Sequence, residues 1–77
     1  MYMYAEGVVK YSDGKTEYFG DEMGYGSIED VEQYAIKLIR EDSKKPFTIR
    51  GTLNTDYSNI DYFIEYNGST CTVYNTE

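Results

Sequence analysis

Carboxylates are the side chains with the most chemistry to offer on this sequence, and they fall in two runs. Asp21 and Glu22 precede Glu29, Asp30 and Glu32; further on come Asp56, Asp61 and Glu65. Paired carboxylates can serve as general acid and base, but only where burial or a neighbouring charge drives their pKa values apart. The chain has 14 Asp and Glu among 77 residues, so such pairs arise by chance, and no flanking pattern marks a cleft. The stretch Asp56-Tyr57-Ser58-Asn59-Ile60-Asp61 is rich in oxygen but lacks the twelve-residue spacing of a calcium loop. There is no His, the commonest general base and metal ligand. One Cys without His cannot assemble a zinc set. Cys71 has no basic neighbour to lower its pKa, and it falls on an apolar strand face, so it reads as a buried structural thiol. The expectation is a chain with no catalytic residues, no metal and no cofactor.

The glycines of Gly20-Asp21-Glu22-Met23-Gly24-Tyr25-Gly26 stand ahead of a helix, where a phosphate cradle would. The run matches neither G-x-G-x-x-G nor the Gly-Lys-Ser/Thr of a P-loop, and Asp21 and Glu22 would repel phosphate. It reads as a flexible connector on which Met23 and Tyr25 are candidate exposed contacts.

The elements that must position these residues follow from periodicity. Met3, Ala5, Gly7, Val9 and Tyr11 alternate with Tyr2, Tyr4, Glu6, Val8 and Lys10, the period of two of a strand. Asp13-Gly14 is a two-residue hairpin signal, and a second strand is expected from about Lys15 to Phe19. Ser27 is placed to cap a helix, with Asp30 three residues on to reach back to the cap. Ile28, Val31, Ala35, Leu38 and Ile39 form one apolar stripe, which predicts a helix from about Ile28 to Asp42 with Lys44 and Lys45 near its negative end. Pro46 stops it. Phe47, Ile49, Gly51 and Leu53 line one face of a third strand, with Thr48, Arg50 and Thr52 on the other. Asn54 to Asn59 is a polar turn. Ile60, Tyr62, Ile64 and Tyr66 alternate with Asp61, Phe63 and Glu65. Asn67-Gly68 marks a tight turn into a last strand from Thr70 to Tyr74.

The order ββαβββ defines an α+β fold, read as one domain over residues 1–77. A right-handed crossover from strand two over strand one sets strand three beside strand one. The expected sheet is antiparallel, about five strands in the order 2-1-3-4-5, with the helix on one face. A helix ~10 Å across cannot cover five strands spaced at about 4.8 Å. The uncovered face should carry Tyr2, Tyr4, Glu6, Arg50, Asp61, Phe63 and Glu65.

Charge narrows the partner. Seven Lys and Arg against 14 acids give a net charge of −7. Nucleic acid and anionic membrane both call for a basic patch, so a basic protein surface is the favoured partner. The chain has 10 Tyr, more than one small core can hold, and Tyr outside a core is typical of recognition surfaces. The start lacks the pattern of a signal peptide, no stretch approaches the ~20 apolar residues of a membrane span, and one unpaired Cys fits a reducing compartment, so the expected location is the cytoplasm.

A small, acidic, Tyr-rich chain without a catalytic motif resembles, in general type, the phage-encoded anti-CRISPR proteins. The resemblance implies an inhibitor that mimics DNA, docks on the basic nucleic-acid-binding surface of a CRISPR-associated RNA-guided nuclease and blocks DNA binding, in the host cytoplasm. The composition, with its Ile, Tyr, Lys and Asn, suggests a low-GC host and tilts this toward the single-chain nucleases. No family motif assigns residues. The candidates chosen from the sequence are Asp21, Glu22, Tyr25, Glu29, Asp30, Glu32, Tyr4, Asp61, Phe63 and Glu65. The alternative is a non-catalytic interaction module, including a homodimer formed through the open face or an edge strand.

Overall fold

The alternating and helical stretches become β1 (Tyr4–Tyr11), β2 (Thr16–Phe19), a 3-10 turn (Asp21–Met23), α1 (Ile28–Glu41), β3 (Phe47–Asn54), β4 (Asn59–Tyr66) and β5 (Cys71–Asn75). The computed structural model describes residues 3–41 and 45–75. The fold is α+β. Every pair of neighbouring strands is antiparallel and the order is β2-β1-β3-β4-β5, as the crossover argument requires. Tyr2, Asp42 and Lys44, expected on the open face and at the helix end, lie outside the described residues.

The inner face of the sheet carries the core. Ala5 and Val9, Ile49 and Leu53, and Tyr62, Ile64 and Tyr66 are buried there against Val31 and Ala35 of α1. Each fully buried Ile or Val contributes about 1.5–3 kcal/mol. The helix begins as its sequence dictates. The Asp30 N–H donates to Ser27 Oγ (3.2 Å), and Asp30 Oδ2 accepts from the Gly26 N–H (2.9 Å). The glycine-rich run ahead of it is not a plain connector. It holds the 3-10 turn, closed by Gly24 at φ 73°.

The turns fix the register. The Tyr11 N–H donates to the Lys15 carbonyl and the Gly14 N–H to the Tyr11 carbonyl, both at 2.9 Å. The loop is therefore Ser12-Asp13-Gly14, three residues and not two. Gly14 at φ 94° takes the left-handed position such a loop needs, and Asp13 Oδ1 accepts from the Lys15 N–H (2.9 Å). At the other end the Asn67 N–H donates to the Thr70 carbonyl (3.2 Å), while Asn67 Oδ1 accepts from the Ser69 and Thr70 N–H groups.

At the sheet centre Gly7 faces Gly51. A Cβ at Gly51 would run into the Glu6 carbonyl oxygen and the Tyr62 hydroxyl; one at Gly7 would stand 2.6 Å from that hydroxyl and 3.0 Å from the Phe19 ring. The two glycines thus make a trough across β3 and β1 into which Tyr62 and Phe19 reach from either side. The Tyr62 hydroxyl donates to the Glu6 carbonyl at 2.9 Å.

Candidate functional site

With α1 on the inner face, the outward-pointing side chains of all five strands share the opposite face. Register places them in rows. The central row crosses the whole sheet: Tyr18 opposite Val8, Val8 opposite Arg50, Arg50 opposite Phe63, Phe63 opposite Tyr74. The Arg50 guanidinium lies 5.1 Å from the Phe63 ring centroid, and the Phe63 and Tyr74 rings stand 5.9 Å apart, tilted by 30°. Stacking holds the Arg50 fork in place and leaves the end rings free for contact: Tyr18 is 81% exposed and Tyr74 53%. To one side is the row Glu6–Thr52–Asp61, with Thr52 Oγ1 donating to Asp61 Oδ1 (3.2 Å). To the other is Lys10–Thr48–Glu65. A shallow hollow of about 490 Å³, lined among others by Arg50, Thr52, Asp61, Phe63 and Tyr74, occupies the β3–β5 side.

Rows of this kind can stack on cations and accept hydrogen bonds from them. Among the described residues no three His, Cys, Asp or Glu side chains converge as a metal-holding group. No described helix is long and apolar enough to cross a membrane.

The candidates chosen from sequence divide between two places. Asp61, Phe63 and Glu65 stand on the open face, with Arg50 and Glu6 as expected. Tyr4 stands there too, but in the row Tyr4–Asn54–Asn59, two rows from Phe63. Glu29, Asp30 and Glu32 sit on the helix and Asp21 and Glu22 in the turn ahead of it. The sheet separates the helix from the open face, so the two acidic runs do not build one surface. Asp30 is engaged in the cap.

Two expectations are corrected. Tyr25 is not an exposed contact. Its ring packs at 5.7 Å from Phe19 and 5.6 Å from Tyr34, and burial, with the Asp30 charge, pushes its pKa up. Of the two contacts expected on that loop, Met23 is the exposed one. Cys71 lies on the inner face as read, facing Tyr66, yet it is exposed. It begins the edge strand β5, beyond which no described strand stands. Partial desolvation and the Glu32 charge push the thiol pKa up.

Tyr18, Val8 and Tyr74 were missing from the sequence-based site. Counting outward from the turns as they close in the structure puts all three in line with Arg50 and Phe63, whereas the two-residue loop read at Asp13-Gly14 would have set Tyr18 opposite Val9. No protein-family model, no curated protein and no solved structure was found to match this chain.

Proposed function

We propose that this chain acts by binding and not by catalysis, docking its open sheet face on a basic protein surface. The observation that carries this is the central row, Tyr18–Val8–Arg50–Phe63–Tyr74, which crosses five strands with two exposed tyrosines at its ends. An uncovered aromatic row on a sheet that already has a core is a binding surface. The sign of the partner is taken from the net charge of −7, with Glu6, Asp61 and Glu65 on the open face against Lys10 and Arg50. Tyr rings would stack on its Arg and Lys, and carboxylates would accept their hydrogen bonds. Glu29 and Glu32, away from the contact, would speed encounter through the long-range field.

The resemblance to anti-CRISPR proteins names an instance: the nucleic-acid-binding surface of a single-chain RNA-guided nuclease, with DNA binding blocked by occupancy. The test titrates the chain against DNA binding and cleavage by such a nuclease, from about 0.05 to 0.5 M salt. Inhibition that weakens with salt, and that a folded Tyr18→Ala/Tyr74→Ala variant loses by ~10-fold or more, is the expected result. No inhibition removes the nuclease as partner; inhibition equal in the double variant removes the open face as the contact.

A further inference from the structure

The two outer strands of the sheet are finished differently. β2 is four residues long and opens on the Lys15–Glu17 ion pair (3.4 Å). Where it ends, the Ala5 N–H of β1 is taken up by the Tyr25 carbonyl at 2.7 Å, so the loop closes that side. β5 has no such device. Cys71–Asn75 contains no charged residue, no Pro and no Gly, and among the described residues no strand pairs with its outer side. A straight, uncharged edge is a template for another strand.

The hydrogen-bond parity of that edge is fixed by the turns. The Asn67–Thr70 pair closes the last hairpin, and the Thr55 N–H donates to the Ser58 carbonyl (2.9 Å) to close the one before it. Alternation from either turn makes Glu65–Thr72 and Phe63–Tyr74 the bonded pairs between β4 and β5. The N–H and C=O groups of Cys71, Val73 and Asn75 therefore point outward. Those three positions are symmetric about Val73, as a two-fold seam demands.

We propose that the β5 edge docks a second copy of this chain, antiparallel, about a two-fold axis at Val73, joining the two sheets into one. Val73 bonds its equivalent, and Cys71 bonds the second copy's Asn75 and the reverse. Tyr74 gains the second copy's Thr72 beside it on the open face. The net charge does not oppose this seam. The nearest carboxylate in the sheet, Glu65, pairs with Thr72 from β4, so its two copies would stand three strand spacings, about 14 Å, apart or more. That exceeds the Debye length of ~8–10 Å. A seam of one short strand is small, so dimerisation is weak, with a Kd of about 10 µM to 1 mM.

Sedimentation equilibrium of the chain alone tests this. The wild-type mass should rise from one chain toward two across that concentration range. Asn75→Pro and Val73→Pro each remove an outward N–H and leave the β4–β5 ladder bonded; both should stay monomeric with an unchanged circular dichroism spectrum. Asn75→Pro guards against the packing lost at Val73, since Asn75 is exposed. Thr72→Cys/Tyr74→Cys in a Cys71→Ser background should oxidise to a covalent dimer, because position 72 would face position 74 of the second copy in a non-bonded pair with Cα atoms about 4.5 Å apart. A wild-type monomer throughout, or a dimer that survives both proline variants, overturns the proposal. The seam is separable from partner binding: Asn75→Pro should abolish self-association while inhibition by the open face persists.

Discussion

Tyr62 ties β4 to β1 across the glycine pair. Its ring fills the trough over Gly7 and Gly51, and its hydroxyl satisfies the Glu6 carbonyl. Tyr62→Phe keeps the ring and removes a second bond to a carbonyl that also faces Thr52 in the ladder, which should cost about 0.5–1.5 kcal/mol in denaturant unfolding. Burial raises the pKa of Tyr62 above the ordinary phenol value, with the Glu6 charge adding to it, and burial raises that of Tyr34 to about 12. Because the folded state holds both protons more tightly, their contribution is complete below pH ~10 and is lost as pH climbs through the folded values. Stability should fall above pH ~10, and Tyr62→Phe should flatten part of that fall; a tyrosinate absorbance titration alongside unfolding curves checks it. Cys71 shows where residue-level reading fails. Its face was legible from alternation, but its exposure follows from its place at the start of an edge strand, which only the strand order reveals.

The helix cap and the glycine pair both work at the scale of elements. Ser27 and Asp30 satisfy donors at the start of α1, so Ser27→Ala should cost about 1 kcal/mol. Asp30→Asn should cost stability as well, whereas Glu29→Gln/Glu32→Gln should leave folding within ~0.5 kcal/mol. Charge tests on the helix therefore belong at Glu29 and Glu32. Gly51→Ala should be severe, at least about 2 kcal/mol, because the added Cβ meets backbone at Glu6 and cannot be relieved by moving a side chain. Adding Tyr62→Phe should not rescue it, and thermal melts of the single and double variants decide the point. Strands, helix, cap and strand order were all legible in the sequence, because period, Pro46 and Ser27 act locally. The three-residue hairpin and the central row were not. Both depend on register, which the turn hydrogen bonds set and composition alone does not reveal.

For the molecule as a whole, the charge of −7 is a repulsive load that folding compresses into a body 37 × 23 × 19 Å. Salt should therefore raise the Tm by a few degrees between about 0.02 and 0.3 M, while it weakens binding to a basic partner. Opposite salt trends in melting and in binding would separate fold from function in one buffer series. The sheet topology has a temporal consequence as well. β1 with β2, and β3 with β4 and β5, are joined by short turns and can form independently. The Gly7–Gly51 seam joins segments separated by β2, the loop and the helix. Closing that long span loses chain entropy before any contact there compensates, so the seam should set the folding speed. In stopped-flow refolding, Val9→Ala on β1 should slow folding, whereas Val73→Ala on β5 should mainly speed unfolding. A protein with two quick halves and one slow junction spends its unfolded lifetime with the bare β1 and β3 edges exposed, and that is when it is most open to aggregation.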